Sequence, residues 1–129
     1  MHLTIQSEVK LDIHELKRDG LMSDALEAMA FVKEVSGNTF RKSRLLSEES
    51  EGGAFKSYPF IWAQRNGYNA NIIKGYDFNR IRILYLVNDE KKEIHIIMFM
   101  NRNWDYESSQ KVRNRIESCY DRLGLPKIH

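Results

Sequence analysis

The chain has one cysteine, Cys119, in 129 residues, and that scarcity excludes an internal disulfide and a thiolate zinc cluster. A small apolar role in the core suits this residue better than the role of a nucleophile. Long apolar runs are missing too. None reaches the roughly 18 residues that a membrane-spanning helix needs, and the opening "MHLTIQSEVKLDIHELKRDG" lacks the apolar segment of a secretory signal. A cytoplasmic protein with no membrane contact is the expectation. His2, His14, His95 and His129 have no ligand-like spacing, so no metal is expected. With neither a glycine-rich nucleotide loop nor a Ser-His-Asp arrangement, no cofactor is expected either. A strong excess of one charge is also absent, the formal net charge being only +2.

What is there can fold. Hydrophobic residues make up 42% of the chain and charged residues 29%, a mixture that buries a core and lacks the signature of wholesale disorder. A length of 129 residues suits one domain, residues 1–129. The charges are unevenly spread. From Gly37 to Tyr85 the bases are Arg41, Lys42, Arg44, Lys56, Arg65, Lys74, Arg80 and Arg82, against the acids Glu48, Glu49, Glu51 and Asp77. Three of those acids sit in one stretch, "SEESEGG", which leaves the rest distinctly basic and hints at a polyanionic partner.

A short strand over Leu3 to Gln6 opens the chain, and Ser7 can cap a helix running to about Arg18 with Val9, Ile13 and Leu16 as its apolar stripe. Asp19 and Gly20 break it. Ser23 and Asp24 can cap a second helix whose face carries Leu26, Met29 and Ala30, with Gly37 and Asn38 ending it. Its Met and Leu stripe reads as core. From Thr39 to Asn79 the pattern is weakest: "SEESEGG" is a polar loop, and "AFKSYPFIWAQRNGYNANIIKG" reads as a short helix or irregular segment before a strand near Asn69 to Lys74. Its aromatics, interleaved with Lys56 and Arg65, can stack on bases or simply fill the core.

The strongest local signal is "RIRILYLVNDEKKEIHIIMFMNRNWDY". Arg80 to Val87 and Ile94 to Met100 read as two strands joined by a polar turn, apolar enough to be covered on both faces. Alternation sets Arg80 and Arg82 on one face with Leu84 and Leu86, and Ile81, Ile83, Tyr85 and Val87 on the other. Antiparallel pairing folds the start of one strand beside the finish of the next, which brings Arg82 and Arg102 to the same end. A last helix follows, capped by Ser108 or Asp105, with Val112, Ile116, Cys119, Tyr120 and Leu123 at spacings of three and four and Gly124 then Pro126 as its stop. The fold class is α+β: an N-terminal helical hairpin packed on a small antiparallel sheet with a C-terminal helix.

The segment "RILYLVNDEKKEIHIIMFMNRNWDYES" within that order resembles the C-terminal half of the RelE/ParE toxin superfamily. There an Arg-hydrophobic-x-Tyr strand turns through Asp-Glu into an apolar strand that ends in arginine and tyrosine. The resemblance runs over about Asn69 to Leu123, and between Val35 and Asn69 this chain is longer than typical members. It implies a RelE-like fold and the toxin of a type II toxin-antitoxin system. In the RelE branch such a toxin is an endoribonuclease that cuts mRNA in the ribosomal A site, and its partners are a cognate antitoxin protein and mRNA.

Cleavage by attack of an RNA 2′-hydroxyl on the adjacent phosphate needs a base, cations for the charge gathering on phosphorus, and an acid for the leaving oxygen. Arg82 and Arg102 match the family's strand arginines and would stabilise charge. Tyr106 falls near the C-terminal tyrosine and would orient the nucleophile or stack. Lys74 is the one lysine on the strand before the hairpin and would serve as base if neighbouring cations depress its pKa. Arg65, Arg80, Asn103 and Trp104 are expected to touch RNA. The chain departs from the family in having no histidine just before that tyrosine. His95 reads as a packing residue and Asp105 as a helix cap. Bland readings stand beside these: Arg82 and Arg102 as edge cations paired with surface acids, Trp104 and Tyr106 as cover for the sheet end. Two other functions fit the same fold, a ParE-like gyrase-targeting toxin and a non-catalytic module that binds RNA or protein.

Overall fold

Strands that are apolar at nearly every position need cover on both faces, and the computed structural model, which describes residues 2–46 and 55–128, supplies it. In chain order the elements are β1 (His2–Ile5), α1 (Val9–Arg18), α2 (Met22–Ser36), α3 (Thr39–Leu46), β2 (Phe55–Pro59), α4 (Ile61–Arg65), β3 (Ala70–Gly75), β4 (Ile81–Asn88), β5 (Glu93–Asn101) and α5 (Gln110–Leu123). The strands form one sheet in the order β1-β5-β4-β3-β2. All neighbours are antiparallel except β1, which joins β5 in parallel and makes the sheet mixed. The α+β class holds, with the helical hairpin α1–α2 and the C-terminal α5 where the sequence pattern puts them. No helix among the described residues is long and apolar enough to cross a membrane.

Alternation along β4 sorts the core into two layers. Ile81, Ile83, Tyr85 and Val87 join Val9, Leu16, Ala25, Ala28, Val32 and Val35 from α1 and α2 on one face. Leu84 and Leu86 join Ala63 of α4 and Val112, Ile116, Cys119 and Tyr120 of α5 on the other. Cys119 is fully buried there, and burial, with the Glu8 carboxylate adding to it, pushes its thiol up to about 11. Strand β5 changes parity midway. Tyr85 pairs with Ile96 and Leu84 with Met98, so Ile97 is an extra, bulged residue. Ile97 and Met98 then both face the α5 layer, Phe99 returns to the α1 layer, and Met100 comes out opposite Arg82.

The parallel ladder from β1 ends beside Ile96, where Gln6 donates its N–H to the Ile96 carbonyl. Beyond it the edge of β5 is closed by side chains. Phe99 N–H donates to Asp12 Oδ2 at 3.0 Å, and Arg115 Nη1 donates to the Ile97 carbonyl at 2.8 Å. Arg115 also clasps both Asp12 oxygens at 2.9 Å. Burial pushes the Asp12 carboxyl up, against the downward pull of Arg115 and the Phe99 N–H. At the other end of the sheet the Tyr85 hydroxyl donates to the Leu45 carbonyl and shares a hydrogen bond with Ser57, tying α3 and β2 to β4.

Several details differ from the sequence pattern. The buried face of α2 is Ala25, Ala28, Val32 and Val35, while Leu26 is 57% exposed, because small side chains bring the helix close to the sheet. Neither α1 nor α2 has a side-chain cap. Ser7 lies one residue before Glu8, the N-cap position of α1, and Asp24 spends its oxygens on Arg80. Ser109, rather than Ser108 or Asp105, caps α5 by accepting from Val112 N–H. Gly124, in the left-handed region at φ 63°, stops that helix as expected. "SEESEGG" lies outside the described residues. The segment after it contains an edge strand, β2, that the mixture of aromatics and turn residues conceals. The strand is ended by Pro59.

Two stability measurements check this architecture. Removing Arg115 strands a buried carboxylate, so Arg115→Met lowers unfolding free energy by about 3 kcal/mol or more. Arg122→Met, which loses a half-exposed pair with Glu8 together with contacts to Gln6 and Cys119, costs about 1 kcal/mol; equal losses in urea titrations would contradict the edge-closing role. A Cβ on Gly75 would lie 2.2 Å from the Phe78 ring, and Phe78 is buried. Gly75→Ala therefore destabilises by about 1–3 kcal/mol, whereas an unchanged melting temperature would mean that Phe78 moves freely.

Candidate functional site

On the face covered by α4 and α5 the apolar surface stops abruptly. Tyr58, Ile72, Leu84 and Met98 lie in one cross-strand row, and all four belong to the apolar layer. The next row along the sheet is Lys56, Lys74, Arg82 and Met100, since Lys56 pairs with Lys74, Lys74 with Arg82, and Arg82 with Met100. Three adjacent strands thus present three cations in register, with Cβ atoms about 5 Å apart between neighbours. Like charges directly opposite destabilise a sheet by up to about 1 kcal/mol per pair. Among the described residues no acid forms an ion pair with any of the three. Arg82 Nη1 donates to the carbonyls of Asn79 and Ile81, at 2.7 and 3.1 Å, which fixes where the guanidinium sits.

Two tyrosines wall this row. The Tyr58 and Tyr106 hydroxyls stand 3.5 Å apart, and Tyr106 leans on Phe60 with ring centroids 6.1 Å apart. Burial, reinforced by the neighbouring Tyr106 hydroxyl, pushes the Tyr58 phenol up to about 12, while Arg82 pulls it down. At neutral pH Tyr58 therefore keeps its proton. It can donate a hydrogen bond or a proton and cannot act as a base. On one side of the pair a groove of about 340 Å³ is lined by Lys56, Lys74 and Arg82 together with both tyrosines. On the other side a groove of about 390 Å³ is lined by Arg102, Trp104, Asp105 and Glu107, with Pro59, Ile61 and the same two tyrosines. Arg102 reaches that side because the Ile97 bulge has already switched the parity of β5.

The residues singled out in the sequence separate into three groups. Lys74, Arg82 and Tyr106 share the first groove. Arg102, Trp104 and Tyr106 share the second; Lys111 Nζ lies 5.2 Å from the Trp104 ring centre. Arg65, Arg80 and Asn103 line neither groove. Arg80 does not point with Arg82. It precedes β4, and Asp24 in the first turn of α2 captures it, accepting from its backbone N–H at 3.0 Å and from its guanidinium at 2.9 Å. The Asn103 side chain is exposed, and its backbone N–H donates to Asn101 Oδ1. Arg65 is exposed at the end of α4. His95 is buried, with Nδ1 2.8 Å from Thr4 Oγ1, and burial holds its pKa down, which makes it a packing residue at the β1–β5 junction. Nothing in the sequence singled out Tyr58, and Lys56 stood out only as a charge between aromatics. The alternation of Phe55 and Ser57 with Lys56 and Tyr58 was the signal for both.

A basic row beside a pair of hydroxyls offers the charge and the hydrogen-bond donors that phosphate groups accept. No three described His, Cys, Asp or Glu side chains come together as ligands for a metal ion. No family model matches the chain, and no curated protein does. Among solved structures the chain is similar to the E. coli toxin RelE, a double arginine-to-alanine mutant in the free state, at 12% identity. That similarity covers 92% of this chain and 95% of the other, with a TM-score of 0.44. The grooves rest on their own geometry.

Because the folded state raises the Tyr58 pKa above the ordinary phenol value near 10, unfolded chains lose this proton first. The contribution is intact below about pH 10 and is lost as pH rises towards about 12. Absorbance titration near 295 nm resolves late-titrating tyrosines in the native protein, since burial raises Tyr120 as well as Tyr58, and Tyr58→Phe loses the amplitude of one of them. If the late amplitude is unchanged in that variant, the assignment is wrong.

Proposed function

We propose that this protein is an endoribonuclease toxin of a type II toxin-antitoxin system, cutting mRNA through 2′-hydroxyl attack. The observation that carries the reading is the uncompensated Lys56–Lys74–Arg82 row beside Tyr58 and Tyr106. The resemblance of the β4–β5 segment to the RelE/ParE toxins supplies the class, with a cognate antitoxin as partner and mRNA, on translating ribosomes, as substrate. The 2′-oxygen of one nucleotide attacks the adjacent phosphorus and loses its proton. The P–O5′ bond breaks, leaving a 2′,3′-cyclic phosphate on one fragment and a 5′-hydroxyl on the other.

Each residue then has a separable task. Arg82 stays charged throughout and, with Lys56, neutralises the charge that builds on the phosphoryl oxygens. Lys74, in the middle of the row, takes the proton of the 2′-hydroxyl when its amine is in the neutral form, and becomes the row's third cation as it does so. Tyr58 keeps its proton until the 5′-oxygen departs and supplies it there. Tyr106, hydrogen-bonded to Tyr58, orients that hydroxyl and offers a ring for a base. Arg102 holds RNA in the adjoining groove.

Inducing the protein without a partner should arrest bacterial growth. Primer extension on mRNA from arrested cells should map discrete cuts that disappear in Arg82→Ala and in Lys74→Ala, each slowing cleavage by at least about 100-fold. Growth arrest without cuts would contradict the ribonuclease reading. Arrest that persists in an Arg82→Ala and Arg102→Ala double variant would point to a gyrase-targeting toxin instead, and growth without arrest to a binding module.

A further inference from the structure

The second groove holds a combination that the phosphate chemistry does not use. Arg102 and Asp105 both line it, yet no ion pair joins them among the described residues. Both side chains are exposed. The neighbouring carboxylate is partly engaged: Glu107 Oε2 accepts from Trp62 N–H at 3.3 Å. The Asp105 carboxylate accepts no hydrogen bond and the Arg102 guanidinium donates none among the described residues, so both are available to a ligand. The aromatic walls Tyr58, Trp104 and Tyr106 suit a flat ring, and about 390 Å³ is within the range of small-molecule pockets.

We propose that this groove is a base-reading subsite that selects guanine in single-stranded RNA, with Asp105 on the N1–H and 2-amino donors and Arg102 on O6 and N7. Guanine is the base that offers two adjacent donors on one edge and two acceptors on another. A guanidinium matches O6 and N7 bidentately, and a carboxylate, acceptor-only when ionised, matches the donor pair. Adenine sets its single amino donor between the acceptors N1 and N7, cytosine puts an acceptor beside its amine, and uracil flanks one N–H with two carbonyls. Each of these turns a lone pair towards Asp105. The subsite adjoins the cationic row across the Tyr58–Tyr106 ridge, so a base held here belongs to a nucleotide next to the phosphate over Lys74. The proposal rests on the reading of that row as an RNA-backbone site.

The test uses 2′-O-methyl uridine tetranucleotides with one guanine, inosine or adenine at each position in turn. The capped 2′-oxygen cannot attack, so calorimetry reads binding alone. At its best position guanine should bind about tenfold tighter than inosine, which lacks the 2-amino group, and than adenine. Asp105→Asn should bring guanine to within about twofold of inosine while leaving the adenine affinity unchanged. Equal guanine and inosine affinities in the wild type, or a preference that survives in Asp105→Asn, would overturn the subsite and leave the backbone reading intact. No binding of any oligonucleotide would overturn both.

Discussion

The bulge at Ile97 and the buried Asp12–Arg115 pair beside it set the geometry on which everything else depends. Period-two alternation, continued unbroken from Ile94 and Ile96, would carry Met98, Met100 and residue 102 to the α1 face. One extra residue reverses that. It interrupts the β4–β5 ladder, and on the other side of β5, where β1 has run out, it leaves the Ile97 carbonyl and the Phe99 N–H facing the open edge. Asp12 and Arg115 satisfy both groups at once and reach them from helices on opposite faces. A hydrophobic pair of equal volume could pack there, but it could not satisfy those two backbone groups. The ion pair is therefore specified by the bulge, and the bulge brings the end of β5 to the same face as Arg82.

The candidate site follows from where the apolar layer on that face ends. Up to the Tyr58–Ile72–Leu84–Met98 row, burial against α4 and α5 offsets the cost of ordering the strands. One step beyond, the same strands carry lysine, lysine and arginine, and mutual repulsion goes uncompensated by acids among the described residues. Sheets that place like charges opposite one another give up stability. The loss is tolerated because the strands are pinned elsewhere, through Tyr85 to Leu45 and Ser57 and through Phe78 against Gly75. Tyr58 and Tyr106 stand at the boundary, with their rings in the apolar layer and their hydroxyls towards the cations. Burial and the Tyr106 hydroxyl raise the Tyr58 pKa against the pull of Arg82, and Tyr58 stays a donor.

Much of this was legible in the residues. The β4–β5 hairpin, the α1–α2 hairpin and the α5 stripe each carry a clean period, and the meeting of Arg82 with the end of β5 follows from antiparallel pairing. The bulge was hidden because every residue from Ile94 to Met100 except His95 is apolar, so a slip of one position changes no hydrophobic character. Asp12 gave no warning either: a carboxylate in a helical stripe reads as solvated until its partner arrives from 103 residues away in sequence. Strand β2 was obscured by its aromatics and Pro59, and with it the inclusion of Lys56 and Tyr58. Arg80 misled because alternation was extended one residue past the start of β4, to where Asp24 takes over.

In the proposed complex, RNA lies with a phosphate over the Lys56–Lys74–Arg82 row and its chain crosses the Tyr58–Tyr106 ridge. The most direct test is a crystal structure of the protein with a 2′-deoxy-substituted, uncleavable RNA. The account predicts a phosphate within hydrogen-bonding distance of Lys74 Nζ and the Arg82 guanidinium, with the adjacent base in the groove beside Trp104. RNA bound instead along α2 or α3, with the row left unoccupied, would contradict it.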